Sequence, residues 1–220
     1  MNIAHPLKYH FYSYRKPYLI YLVLYFVFLF TSISSFKYIE KYSMYLSAIL
    51  LIITIVFTII NSIYEFTLLI YHYLNLKIIK LEFFISSIIY SIINAFIQIF
   101  LMFISGLVIK SLLGSEVFIL FGFENLQIYL FTFLLHTGIF SIIGIISLLL
   151  RNIKFVQILL YSIILIIVGI ISFEIMNIVV EFIYKVFLDS NFIFKLNPLI
   201  IIITVLMWLL IYLKINKSNQ

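Results

Sequence analysis

Long apolar runs are the feature that most constrains this chain. Six windows are almost wholly apolar, and each is long enough for an α-helix to cross a bilayer, which takes about 20 residues. They are the windows 18–35, 44–63, 83–109, 128–150, 155–178 and 199–213. Because a helix satisfies its own backbone hydrogen bonds in lipid, we predict an all-α, polytopic membrane protein with six transmembrane helices in a single domain.

The composition points the same way. Hydrophobic residues make up 65% of the 220 residues and charged residues only 10%, whereas soluble domains carry about 25% charged residues. The chain has no cysteine, which excludes a disulfide framework and thiolate chemistry. The bias toward Ile, Lys, Asn, Tyr and Phe suggests an AT-rich genome, so we expect the plasma membrane of a low-GC bacterium.

Basic residues are distributed unevenly between the predicted spans. One side of the membrane receives nine Lys and Arg residues against two acidic ones, and the other side receives five of each. The positive-inside rule places the first side in the cytoplasm, and six spans then leave both termini cytoplasmic. The net charge of +6 is therefore explained without a nucleic-acid partner.

The N-terminal segment 1–17 is basic and aromatic. Written as a helix, it places Leu7, Phe11 and Tyr14 on one face, while its lysines and arginine can reach anionic headgroups. We predict an interfacial elbow helix followed by a bend at Pro17, where a missing N–H is tolerated. The alternative is a disordered basic tail.

Residues 64–82, YEFTLLIYHYLNLKIIKLE, are too polar to span a bilayer and too apolar for an ordinary loop. We interpret this segment as a short cytoplasmic helix whose apolar and aromatic surface docks on a partner protein. The alternative is a juxtamembrane loop with snorkelling lysines. The residues expected at the docking contact are Glu65, Leu68, Leu69, Tyr71, His72, Tyr73, Asn75 and Lys77.

Polar side chains share single faces of the predicted spans. In the third span four of them, from Ser87 to Gln98, follow at steps of four, three and four residues. Such a row either bonds neighbouring helices, which is the favoured interpretation, or lines a substrate path. Two ionisable residues within spans are also candidates for a path. The path candidates are Thr54, Thr58, Asn61, Ser87, Ser91, Asn94, Gln98, His136 and Glu174.

The segment 174–198 is amphipathic and aromatic but too charged to span. We predict short re-entrant helices on the outer side that end at Asn197 and Pro198, with an interfacial loop as the alternative.

Common catalytic and phosphate-binding motifs are absent from the sequence. It contains no GxxxxGK[ST], no HExxH, no GxSG and no adjacent glutamates. It also lacks a Cys and His cluster suited to a metal. We therefore expect no enzymatic activity, no cofactor and no metal on this chain itself.

Two segments resemble parts of the membrane subunit of ABC-2-type (type V) exporters. LKYHFYSYRKPYLIY is similar to the elbow helix of that family, and FTLLIYHYLNLKIIKLEF to its coupling helix. The second segment lacks the proline of the family's YLTLSLP form, and the stretch from Tyr71 to Tyr73 replaces the usual small residues of that form. Residues 174–198 resemble the re-entrant helices that the family carries between spans five and six.

The resemblance implies a permease that works with two copies of a separate ATPase subunit, which would bind ATP and magnesium. A second membrane subunit, identical or a paralogue, completes such an exporter. Small members of the family export antimicrobial or toxic peptides such as phenol-soluble modulins, or confer immunity to them, so an amphipathic peptide or another lipophilic cargo is expected. A non-ABC channel or secondary transporter and an integral membrane enzyme remain as alternatives.

Overall fold

A computed structural model describes residues 4–36, 42–70, 73, 79–113, 126–149, 178, 181, 185–186 and 190–217. This part of the chain is all-helical, as predicted. Its α-helices are Ala4–Phe36 (α1), Tyr42–Tyr64 (α2), Lys80–Leu113 (α3), Leu126–Leu149 (α4) and Ser190–Lys217 (α5). A π-helical turn, Glu65–Leu69, continues α2.

Four of these helices are long and apolar enough to cross a membrane. The qualifying stretches are Ala48–Leu69, Lys80–Leu112, Leu126–Leu149 and Phe192–Asn216. They correspond to the second, third, fourth and sixth predicted spans, but the first stretch runs to Leu69 and the second begins at Lys80, so both extend into the predicted cytoplasmic segment 64–82. The first predicted span lies in α1, which is not among the four, and the fifth, 155–178, lies outside the described residues apart from Ile178. The protein is therefore a membrane protein by its helices, while the number of six spans stays a prediction.

Two predicted boundaries differ from the structure. Helix α1 continues through Pro17, where the sequence analysis expected a bend, and α5 begins at Ser190 and continues through Pro198. Each proline removes one helical hydrogen bond. Helix α1 packs on its neighbours on both sides of Pro17, at Tyr14 and Tyr21, so packing outweighs the lost bond. The interfacial position of segment 1–17 stays a prediction, as does a re-entrant segment before Ser190.

The helices form one connected bundle in which α2 and α3 both contact α4. Helix α5 lies mainly along α4, α4 also contacts α2, and α1 lies along α3 and α2. The close approach of the Phe66 ring to α4 depends on a glycine. A Cβ atom at Gly144 would lie 2.5 Å from Cε2 of Phe66, so only glycine leaves room for that ring.

The first turns of α1 and the last turn of α5 lie at the same end of the bundle. His10 Nε2 of α1 lies 2.9 Å from Ser86 Oγ in the second turn of α3. Lys80 Nζ donates to the Asn216 carbonyl of α5 at 3.2 Å. We call this the basal end. Its core includes the buried rings of Tyr14, Phe66, Tyr73, Phe83, Tyr90, Phe140 and Trp208.

Candidate functional site

A buried carboxylate lies at the basal end, where α1, α3 and the π-helical turn meet. Glu65 is 0% exposed. Its Oε2 atom accepts a hydrogen bond from the Tyr14 hydroxyl at 3.1 Å and lies 3.0 Å from His10 Nδ1. Its Oε1 atom accepts from the Ser87 hydroxyl at 2.7 Å. We call His10, Tyr14, Glu65, Ser86 and Ser87 the anchor cluster.

The hydrogen-bond pattern makes Nε2 of His10 a donor. The Ser86 hydroxyl donates to the Phe83 carbonyl at 2.8 Å, so its oxygen is left to accept from His10 Nε2–H. The other ring nitrogen faces the Glu65 carboxylate, which is an acceptor. A buried charge is tolerated when an opposite charge and hydrogen bonds replace its water, and the anchor cluster supplies both.

The remaining side of the carboxylate is closed by aromatic side chains. The Tyr90 ring stacks on His10 and on Tyr14, with ring centroids 5.3 Å and 4.6 Å apart. Burial, and then the nearby Glu65 carboxylate, raise the pKa of the Tyr14 phenol well above its ordinary value of 10.0. Tyr14 therefore stays protonated throughout the physiological pH range, and its hydroxyl is shared between the Asn61 carbonyl at 2.9 Å and Glu65 at 3.1 Å.

The π-helical turn explains how Glu65 reaches this cluster. The Ile70 N–H bonds the Glu65 carbonyl five residues earlier, so the turn is wider than an α-helical one. Four of its five residues are buried, and Leu68 is the one that faces outward, at 47% exposure. The turn thus sends a carboxylate inward and a leucine outward. Such turns are frequent at functional sites.

The predicted docking residues divide into two groups in the structure. Glu65, Leu69 and Tyr73 are buried, and the Tyr73 hydroxyl donates to the Pro6 carbonyl of α1 at 2.7 Å. Glu65 and Tyr73 therefore fix the segment to α1, and Leu69 lies in the same core, so none of the three presents a free surface. Among the described members of the set, Leu68 is the exposed one. Outside the described residues lie Tyr71, His72, Asn75 and Lys77.

The polar row of α3 lies at the contact with α1 and α2. Tyr18 of α1 donates to Asn94 Oδ1. The same oxygen accepts from the Asn61 amide of α2 and from the Gln98 amide, both at 3.3 Å. Asn94 thus joins three helices. Ser87, at the start of the row, bonds Glu65, while Ser91 bonds the Ile88 carbonyl of its own helix.

Tyrosines of α1 are the partners that the sequence analysis missed. The Tyr21 hydroxyl donates to Gln98 Oε1 at 2.6 Å, and the Tyr25 hydroxyl lies 2.9 Å from Ser105 Oγ. A usable signal was present, because Tyr14, Tyr18, Tyr21 and Tyr25 follow at steps of four, three and four residues, the same steps as the α3 row. Matching polar rows on two spans indicate a hydrogen-bonded contact between them.

A second buried histidine joins α2 to α4. His136 Nδ1 lies 2.9 Å from Thr58 Oγ1, and Nε2 lies 3.4 Å from Thr54 Oγ1. Both hydroxyls also donate to carbonyls of α2 itself, at 3.0 Å and 2.7 Å. His136 therefore lies at the contact of α2 with α4, and a substrate path along the polar residues stays a prediction. Glu174 lies outside the described residues.

Comparisons of this chain with protein-family models, with curated proteins and with solved structures find no match. The sequence pattern and the geometry of the basal end are therefore what bear on function.

Proposed function

We propose that the chain is the membrane-spanning permease subunit of an ATP-driven exporter of the ABC-2 type, located in the plasma membrane. In this proposal, residues 64–82 dock on a separate ATPase subunit. The observation that carries the proposal is the double role of the π-helical turn. It holds Glu65 in a buried contact with His10 of α1 and leaves Leu68 at the surface.

This construction suits transmission of force. Separating Glu65 from His10 would leave a buried charge without its partner, which costs about 3–5 kcal/mol. A push on the segment is therefore passed to α1 through His10 and to α3 through Ser87 before the contacts break. A plain juxtamembrane loop needs no such fixation.

ATP would act through its different affinity for two states of the complex. Two ATPase copies, which hold the ATP and magnesium, would close together and move two membrane subunits, whether these are identical or paralogues. This chain contributes no catalytic residue to that cycle. The proposed cargo is an amphipathic antimicrobial or toxin peptide, or another lipophilic molecule, and rests on the family resemblance alone.

The described polar side chains give less support to a channel or a secondary transporter. Such proteins need polar groups that face a water-filled path, whereas the Asn94 carbonyl and the Tyr21 hydroxyl are bonded between helices. A membrane enzyme would need a catalytic set, and the anchor cluster is closed on all described sides by Tyr90 and its neighbours.

Copurification tests the docking assignment. Wild type purified from its native host in mild detergent should carry a stoichiometric subunit with a Walker motif. Leu68→Arg places a charge on the exposed position of the turn and should weaken the association at least about tenfold. Leu126→Arg is the matched control, since Leu126 is 80% exposed on α4, far along the chain from the turn.

The fluorescence of Trp208, the single tryptophan, shows whether each variant keeps its basal core. Tyr71→Ala with His72→Ala should also abolish ATP-dependent export without loss of membrane insertion. A wild-type protein that carries no ATPase, or a Leu68→Arg variant that keeps it in full, would contradict the proposal and favour the channel and enzyme alternatives.

A further inference from the structure

An apolar groove runs along the surface between α1 and α2. Its volume is about 670 Å³. Ile20 and Leu24 in its wall are 59% and 62% exposed, so the groove opens sideways into the surrounding lipid. The hydroxyls of its tyrosines, Tyr21 and Tyr25, are turned toward α3 and bonded there. The wall that faces lipid is therefore hydrocarbon, and its α2 side is formed by Ile52, Ile53, Val56, Phe57 and Ile60.

The depth of the groove matches one leaflet of a bilayer. Along α1 the lining residues run from Pro17 to Phe28. At 1.5 Å per residue this is about 16 Å. Half of a 30 Å hydrocarbon core is about 15 Å. A groove that extended across the whole bilayer would suit a transmembrane helix, whereas this one fits the acyl chain of a lipid in a single leaflet.

Hydrogen-bond donors lie where the groove ends toward the basal end. Ser13 lies one helical turn before Pro17, and Lys16 lies one turn before Ile20, so each shares a face with a residue of the lining. Tyr64 is one turn beyond the lining of α2, and its ring contacts Tyr14 with centroids 5.2 Å apart. An ammonium group, an aliphatic hydroxyl and a phenol are donors that a phosphate accepts from.

We propose that this groove binds one anionic phospholipid, with an acyl chain along α1 and α2 and its phosphate at Lys16, Ser13 and Tyr64. Charge decides between this occupant and others. Lys16 is exposed at the head of the groove, and a lysine near the membrane surface favours an anionic headgroup. A second copy of this chain, which itself carries a net charge of +6, gains nothing from that lysine. The site does not depend on the exporter function.

Native mass spectrometry tests the site. The protein is released from nanodiscs that contain equal amounts of phosphatidylglycerol and phosphatidylcholine. Wild type should retain one phosphatidylglycerol per chain. Lys16→Ala should lower the preference for phosphatidylglycerol about fivefold, which is the factor in affinity that one lysine contributes near an anionic membrane surface.

A pair of tryptophans tests the groove itself. Ile20→Trp with Leu24→Trp fills it and should abolish lipid retention. Leu19→Trp with Val23→Trp is the control, since both positions are exposed on α1 but do not line the groove. Lipid retention should be unchanged in the control. Because the added tryptophans obscure the fluorescence of Trp208, far-ultraviolet circular dichroism is used to check that both variants fold.

Three results would overturn the proposal. The first is equal retention of the two lipids by wild type. The second is equal retention by the two tryptophan pairs. The third concerns a photo-crosslinking amino acid placed at Leu24 in native membranes, for which the proposal predicts an adduct with a phospholipid. A covalent dimer, a crosslink to residues 155–178 or an adduct with a foreign peptide would identify a different occupant.

Discussion

Two histidines are fully buried in the described part of this protein, and their surroundings differ in kind. His10 lies at the basal end between a carboxylate and a serine oxygen that is left to accept. His136 lies within α4 beside two threonine hydroxyls that are already bonded to their own helix. A carboxylate oxygen faces the first imidazole, whereas threonine hydroxyls face the second.

The difference lies in what remains after a partner is removed. Loss of Glu65 would leave Nδ1 of His10 buried without its oxygen partner, while the Tyr14 and Ser87 hydroxyls keep the Asn61 and Phe83 carbonyls. Loss of His136 would leave threonines that keep the bonds to α2 carbonyls. Because an unsatisfied buried group costs more than a satisfied one contributes, the anchor cluster should dominate the stability of the bundle.

Glu65→Ala should give the largest effect. We expect the free energy of unfolding to fall by about 3–5 kcal/mol, because the buried charge of His10 loses its partner. The measurement is unfolding in mixed micelles with rising SDS, followed by the fluorescence of Trp208, which lies in the same core. Glu65→Gln keeps an acceptor of similar shape and should lose less. A loss below about 1 kcal/mol for Glu65→Ala would mean that no charge is held there.

A double substitution tests whether the cost comes from the unpaired charge. His10→Leu with Glu65→Leu removes both charges and should be more stable than Glu65→Ala, since apolar replacements of a buried ion pair are often tolerated. The coupling energy from the full mutant cycle is expected between about 0.5 and 3 kcal/mol. Strictly additive losses would show that the two side chains act independently.

Asn94→Leu should have an intermediate effect. It removes one acceptor from Tyr18, Asn61 and Gln98, and hydrogen bonds between membrane helices average about 0.6 kcal/mol each, so we expect a loss of about 2 kcal/mol. Ser91→Ala is the control in the same row, because its hydroxyl bonds its own helix, and it should change stability by less than about 0.5 kcal/mol. An Asn94→Leu protein of normal stability with altered cargo preference would instead indicate a substrate path.

His136→Leu should have the smallest effect of the three sites. The loss is expected between about 0.6 and 1.7 kcal/mol, the range of single interhelical bonds in membranes. Thr58→Val removes the same bond from the other side and should give a similar value, with little further loss in the double variant. A loss as large as that of Glu65→Ala would abolish the contrast between the two histidines.

The helices themselves were predictable because lipid leaves the backbone few choices. A run of about 20 apolar residues in a bilayer must satisfy its own N–H and C=O groups, and a helix does so. Four helices confirm this prediction at positions close to the predicted ones. The helix boundaries at Pro17 and Pro198 were less predictable, because a proline weakens a helix locally and packing along the rest decides whether it continues.

The sequence by itself determined that this is a helical membrane protein and which polar residues share a helix face, since both follow from hydropathy and from periodicity within one segment. Only the tertiary structure decided which faces meet. His10 and Glu65 are 55 positions apart, and no local pattern indicates their contact. The π-helical turn that buries Glu65 and exposes Leu68 is likewise selected by packing, because a single wider turn has no signature in composition.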